Sequence, residues 1–308
     1  MCYSAQIRAE YKQFVRAFGA VLNIRAFAKL YFERQSDPTI KIPKAVDAFF
    51  MDPQTDGERE IKALIDAFNA EQATKFEQEI FKQRKRLADA ERKLQVKVTK
   101  AATESARIAP AKIEWNLGKL ADLKRVELKP RDSRFFPGWY APVMIWEDGQ
   151  RVIKPMRYLC RPAGKPAFYD TKYPGIYNSR RDNLEGFWKG QFGVTHGILV
   201  INAFFENVDR DGEKVVLQFR PRPEQDMLVA CLWSHWTAPG QPDLLSFAAI
   251  TDEPPPEIEA AGHNRCPIPI SPEHIDAWLK PDASNLAAQY AILDDRPRPY
   301  YEHQLLAA

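Results

Sequence analysis

The sequence predicts an α+β protein, a mixed β-sheet core of open-barrel type that carries a long helical insertion. Three observations lead there. Apolar residues recur at helical spacing through the first third of the 308-residue chain, and from residue 114 onward they fall in short β-rich blocks instead. The 24 prolines concentrate after residue 129, which predicts strand ends, loops and turns in that part. Hydrophobic residues make up 45%, enough to build a core, so disorder is excluded for the bulk of the chain.

The helical part comes first. AEYKQFVRAFGAVLNIRAFAKLYFER sets Phe14, Phe18, Val21 and Leu22 at helical intervals. After a proline-containing break, GEREIKALIDAFNAEQATKFEQEIFKQRKRLADAERKLQVKVTKAA repeats apolar residues at threes, fours and sevens, from Ile61, Leu64 and Ile65 to Leu94 and Val98. That pattern predicts a long helix or helical hairpin with coiled-coil character, within an insertion spanning residues 5–113. Between residues 82 and 107 there are nine Lys/Arg against three Asp/Glu. Such a run suits contact with nucleic-acid phosphates, and it equally suits a solvated helix face. The insertion is also a candidate surface for a protein partner.

The strand-rich part follows. YAPVMIWEDGQRVIKP reads as two strands joined at Asp148-Gly149. GILVINAFF, VVLQFRP, MLVACLW and LLSFAAIT are further strands bounded by turn residues. HIDAWL is expected to be a short helix, with Ser271 and Pro272 as its first cap and first residue. Residues 281–308 are expected to be a loosely packed C-terminal extension. The core is therefore assigned to residues 1–4 and 114–280.

Charge and cysteine usage narrow the function classes. Forty-four Lys/Arg against 41 Asp/Glu leave a net charge of +3, which permits a nucleic-acid partner without arguing for one. The four cysteines, at 2, 160, 231 and 266, form no CxxC pair and no Cys/His set with zinc-ligand spacing. Free thiols in a reducing cytoplasm, with no metal and no cofactor, are the expectation. No run of about 18 apolar residues is present, so no membrane span is expected.

The opening MCYSAQI raises a chemical question. Residue 2 is small enough for Met1 to be removed, and Cys2 would then carry an α-amine and a thiol on one residue. Their ordinary pKa values, about 8 and about 8.5, leave part of each nucleophilic near neutrality. A 1,2-aminothiol captures an aldehyde twice: the amine forms an imine, and the thiol closes a thiazolidine ring.

Taken in order, several stretches share a pattern with Cys2. These are Met1-Cys2-Tyr3-Ser4, MRYLCRP (156–162), YNSRRDN (177–183), ILVINAFFEN (198–207), ACLW (230–233) and HNRCP (263–267). Together they resemble the SRAP family, the SOS response-associated peptidase-like abasic-site shields. That family's pattern begins Met-Cys-Gly-Arg and ends His-x-Arg-Met-Pro. Tyr3-Ser4 here replace Gly-Arg, Tyr158 stands where a tryptophan unstacks bases, Asn207 replaces a tryptophan and Cys266 a methionine.

The resemblance implies an SRAP-like fold and a covalent crosslink to abasic sites in single-stranded DNA, with autocatalytic removal of Met1. It implies a cytoplasmic protein that meets the nucleoid during DNA damage. Cys2 would be the nucleophile, Asn178 would position the linkage, and Glu206 would act as general acid and base. His263 would assist imine formation and reversal. Arg180 and Arg265 would hold phosphates, with Tyr158 and Trp233 in the DNA-binding face. Two other readings stay open from the residues alone. Cys2, His263 and Asn178 also satisfy a cysteine-dependent amidase or peptidase pattern. The chain would otherwise be a non-enzymatic module that binds nucleic acid or protein.

Overall fold

The structure is a computed structural model that describes residues 3–7, 17–210 and 212–306. The chain divides into two compact units, one of residues 1–58 with 129–308 and one of residues 59–128. The first unit begins with β1 (Ser4–Ile7), β2 (Val21–Leu22), α1 (Ile24–Ser36) and α2 (Lys44–Asp47). The chain then runs through two long helices, α3 (Asp56–Val96) and α4 (Lys100–Lys124). It continues through β3 (Arg134–Phe135), β4 (Tyr140–Glu147), β5 (Gln150–Tyr158), α5 (Tyr169–Lys172) and β6 (Asn178–Arg180). Four long strands follow: β7 (His196–Arg210), β8 (Glu213–Arg222), β9 (Met227–Trp236) and β10 (Leu244–Asp252). The last elements are α6 (Pro256–Ala260), β11 (Cys266–Pro267), α7 (Ile275–Leu279), α8 (Leu286–Asp294) and β12 (Tyr300–Leu305).

The α+β class holds. Among the described residues the strands join in one twelve-stranded sheet, whose main path is β11-β10-β5-β4-β7-β1-β3. The 15-residue β7 is its spine, hydrogen-bonded to β1, β4, β8 and β9. Its apolar run buries Ile198, Leu199, Ile201, Phe204 and Phe205, as expected of a strand covered on both faces. β1 lies antiparallel to β7 with Ser4 opposite Phe205, and β6 lies parallel to β10 with Asn178 opposite Ala249. These two registers position the candidate site.

The predicted β4–β5 hairpin is present, with Glu147 opposite Gln150. Asp148 and Gly149 adopt φ of 51° and 79°, the double left-handed conformation that suits the twist of a two-residue hairpin. Gly197 has a different reason to be glycine. A Cβ there would sit 2.8 Å from Val143 Cγ1, 3.1 Å from Cys231 Sγ and 3.2 Å from Met144 O. Gly197→Ala should therefore lower stability by about 1–3 kcal/mol, the usual cost of overpacking a core, read as a lower denaturant midpoint.

Three expectations about organisation differ from the structure. Val21 and Leu22 form a strand paired in parallel with Val152 and Ile153, not part of a helix. Gly19 at φ 60° interrupts the chain before them, and Asn23 caps the following helix by accepting from the Ala26 N–H at 3.0 Å. Phe14 lies outside the described residues. The compact helical unit is 59–128 rather than 5–113, because α4 runs on to Lys124. The tail is built into the sheet, with β12 pairing β8 over six residues from Tyr300 to Leu305. Tyr301 is buried there, its ring 5.5 Å from that of Phe204. Its partners lie far away in sequence, so local composition gives no sign of it.

The helical unit is a hairpin of α3 and α4. Small Ala90, Ala102 and Ala109 are buried, and the Phe76 and Trp115 rings meet edge to face at 6.3 Å. Thr99 caps α4 by accepting from the Ala102 N–H at 3.3 Å. No helix among the described residues is long and apolar enough to cross a membrane.

Candidate functional site

Glu206 lies towards the end of β7 and is fully buried, opposite Leu217 of β8. β1 brings the start of the chain to it. The Tyr3 N–H lies 3.2 Å from the Phe205 carbonyl and 3.3 Å from Glu206 Oε2. His263 arrives from the other side, on the segment between α6 and β11. Gly262 at φ 94° ends α6 by turning the chain, and its N–H and that of His263 return to the Glu259 and Ile258 carbonyls. The imidazole is 8% exposed, with Nε2 3.2 Å from Glu206 Oε2 and Nδ1 2.9 Å from the Arg265 carbonyl.

This geometry fixes where the protons go. A ring nitrogen facing a carbonyl oxygen must carry a hydrogen, so Nδ1 donates to Arg265. Nε2 of the neutral ring is then an acceptor, and its contact with Glu206 requires one proton between them. Burial decides how that proton is shared, because it penalises both charged forms. It pushes the Glu206 carboxyl well above the usual carboxylate range, against a smaller pull from the Tyr3 N–H. It also holds His263 down at about 4, helped by the Arg265 charge and opposed by the hydrogen bond to the Arg265 carbonyl. Burial thus favours a protonated Glu206 carboxyl beside a neutral His263 ring.

Asn178 stands at the start of β6, 7% exposed. Its Oδ1 accepts from the Tyr158 hydroxyl at 3.4 Å, while its Nδ2 has no hydrogen-bond partner among the described residues. A buried amide that keeps a donor in reserve loses stability unless something else accepts from it. Thr251 repeats this one strand over. It is fully buried on β10, opposite Arg180 of β6 and Pro267 of β11, and its Oγ1 also lacks a partner among the described residues. Sequence reasoning missed Thr251, a hydroxyl inside an apolar strand with no motif around it.

Arg180 is exposed and makes a two-pronged contact with Asp182, at 2.9 and 2.5 Å. Arg265 is half-buried, and burial, then the neighbouring Arg180 charge, pulls its guanidinium below the usual range. The carboxylates of Asp182 and Asp252 act in the opposite direction and offset part of that repulsion.

Two predicted DNA-binding aromatics sit elsewhere. Tyr158 is 1% exposed, stacked on Phe247 at 5.1 Å and met edge-on by Phe135 and Tyr177. It offers no face to a base, and its hydroxyl instead supports Asn178. Trp233 is half-buried, with Nε1 donating to the His196 carbonyl at 3.1 Å. It lines a cleft of about 370 Å³ with Lys29, Tyr140, Lys154 and His235, and the lining includes neither Glu206, His263 nor Asn178. Cys2 lies outside the described residues.

The structure also gathers aromatic groups that the sequence reading did not single out. Tyr3, 38% exposed, meets Phe136 edge-on at 5.8 Å, and Phe136 meets Trp139 at 5.4 Å. Arg134 lies over Phe136 at 4.8 Å and donates to the Ser4 hydroxyl at 2.8 Å. The signal was the aromatic density of RFFPGWY around a Pro-Gly turn. A second buried histidine is structural. His196 accepts from the Gly193 N–H and faces the Trp278 carbonyl, and burial lowers its pKa to about 3.

Known proteins give the family. Among solved structures, a protein from Bordetella bronchiseptica is 15% identical with a TM-score of 0.48, over 60% of this chain and 90% of that chain. One from Bacteroides thetaiotaomicron is 14% identical with a TM-score of 0.49, over 57% and 78%. A phage-related protein from Bordetella bronchiseptica is 18% identical with a TM-score of 0.44, over 60% and 85%. No curated protein sequence matches. The family described as SOS response associated peptidase (SRAP) matches residues 94–305, more than half of the chain. With that match over most of the sheet unit, the chain belongs to the SRAP family.

Proposed function

We propose that the chain captures abasic sites in single-stranded DNA as a covalent thiazolidine on Cys2, after removing Met1 with the same side chains. The observation that carries this reading is the buried Glu206–His263 pair, touched by the N–H of Tyr3, the residue bonded directly to Cys2. A nucleophile at position 2 is tethered one peptide bond from that contact.

The chemistry balances without any added reagent. The Cys2 amine attacks the C1′ aldehyde of the ring-opened sugar and gives a carbinolamine. Glu206 donates its proton to the departing hydroxyl, and one water leaves as the imine forms. The Cys2 thiol then adds to the same carbon, and its proton ends on the ring nitrogen. His263 relays protons to and from Glu206. The Nδ2 donor of Asn178, without a partner among the described residues, supplies a hydrogen bond to a sugar oxygen or phosphate. Thr251 Oγ1 is suited to the same task. Arg180 and Arg265 hold the flanking phosphates. Arg134, donating to Ser4, supplies beside that position the guanidinium that the family pattern carries within it. Tyr3, Phe136 and Trp139 take the base-stacking task assigned from sequence to Tyr158 and Trp233.

The test is incubation with single-stranded DNA whose single uracil has been removed by a glycosylase. A heat-stable, slow-migrating adduct is expected on a denaturing gel, with none from the same strand left undamaged. Adduct formation with both strands alike, or with neither, overturns the proposal.

A further inference from the structure

We propose that the end of the helical hairpin formed by the facing ends of α3 and α4 is a second DNA-binding surface, which grips the backbone of duplex DNA whether or not the DNA is damaged. It stands apart from the abasic-site chemistry and does not depend on it.

The first observation is where the charge lies. The helical unit, residues 59–128, carries 16 Lys/Arg against 11 Asp/Glu, whereas the rest of the chain carries 28 against 30. Residues 82–107 hold nine of those cations against three acids, leaving seven against eight in the remainder of the unit. The positive charge of the whole protein is thus concentrated where α3 turns into α4. A net excess on one exposed structural end creates a field that neighbouring acids do not cancel.

The second observation is that much of this charge is uncommitted. Arg92 and Arg107 are held by Asp89 and Glu104 at 2.5 and 2.7 Å, and Lys82 lies 3.8 Å from Glu79. Arg84, Lys85, Lys93, Lys97 and Lys100 are exposed and have no ion pair among the described residues.

The third is shape. A cleft of about 400 Å³ runs between the helices there, lined by Lys82, Lys85, Arg86 and Lys93 with the hydroxyls of Thr99 and Ser105, and by one acid, Asp89, which is paired with Arg92. The Arg86 guanidinium is steadied by donating to Ser105 Oγ at 3.2 Å. No aromatic residue lines the cleft. Proteins that hold single strands stack bases on aromatic rings, so a basic cleft without them fits a phosphate backbone whose bases are already paired. A membrane surface fits less well. An interfacial helix sinks a broad apolar face among lipids, and among the described residues the large apolar side chains exposed here are Val96, Val98 and, beside Lys82, Phe81, scattered among cations.

The experiment uses the full chain and an undamaged, blunt-ended duplex, with affinity measured between about 50 and about 200 mM salt. Changing Arg84, Lys85 and Lys93 together to Gln should reduce the slope of log affinity against log salt by about 1–3, up to about 0.9 per lost phosphate contact. Helicity by circular dichroism should be unchanged, and Cys2→Ala should keep the wild-type slope. Glu91→Lys tests the same surface by adding a cation to exposed α3, and it should steepen the slope. An unchanged slope in both the triple variant and Glu91→Lys overturns the proposal. So does a triple variant that keeps its duplex affinity but loses binding to phosphatidylserine vesicles.

Discussion

Replacing Cys2 by alanine should abolish the stable adduct with abasic single-stranded DNA altogether, while DNA binding itself survives. Alanine at that position keeps the α-amine and deletes only the thiol. Without sulfur the capture stops at an imine, which water reverses. Cys2→Ser separates the two nucleophiles further. A hydroxyl is a far weaker ring-closing nucleophile than a thiolate, so the serine variant should give at most a labile adduct that heat destroys. A serine variant that matched the wild type in heat-stable adduct would rule out thiazolidine closure.

Glu206→Gln and His263→Ala should each slow single-turnover crosslinking by about a hundredfold or more, the scale of a lost general acid or base. They should fail in different ways. Glutamine preserves the size and hydrogen bonding of Glu206 but cannot pass a proton, so part of that variant should retain Met1. The His263 variant should carry a processed N-terminus and form its adduct slowly. The pH profile follows from the two directions of shift. His263 accepts a proton only above about 4, so the wild-type rate should rise through that region. Glu206 holds its proton above the ordinary carboxylate range, so its part as an acid should fall away as it ionises at higher pH, against the rise that deprotonation of the Cys2 amine brings. Glu206→Gln should lose that alkaline fall, because glutamine does not ionise. Rates within twofold of wild type for both variants would assign the pair to structure.

Much of this was legible because it is local or periodic. The Asp148-Gly149 turn has one favoured geometry, and the structure uses it. The run GILVINAFF reads as a buried strand, and its end places Glu206 inside. The order of motif blocks marked Glu206 and His263 separately as implied site residues, without a contact between them, and in the structure the two side chains meet. What stayed hidden depends on distant partners. Tyr158 is the last residue of β5, whose buried positions come in pairs rather than alternating, and nothing nearby in sequence says that Phe247 of β10 will cover its ring. Trp233 is likewise turned towards a cleft by its neighbours on β10 and β4, not by its own strand. The tail looked loose because DDRPRPYY is proline-rich, yet its second tyrosine, Tyr301, packs on Phe204. Thr251 has no local signal at all, since it is the surrounding strands that leave its hydroxyl without a partner among the described residues.

The most direct measurement is the intact mass of the covalent product after the wild-type protein meets an oligonucleotide with one abasic site. Thiazolidine formation on a processed N-terminus predicts one species, equal to the chain from Cys2 onward plus the oligonucleotide minus one water. A product that still carries Met1, an adduct that keeps the mass of that water, or no adduct while the DNA is bound would contradict it.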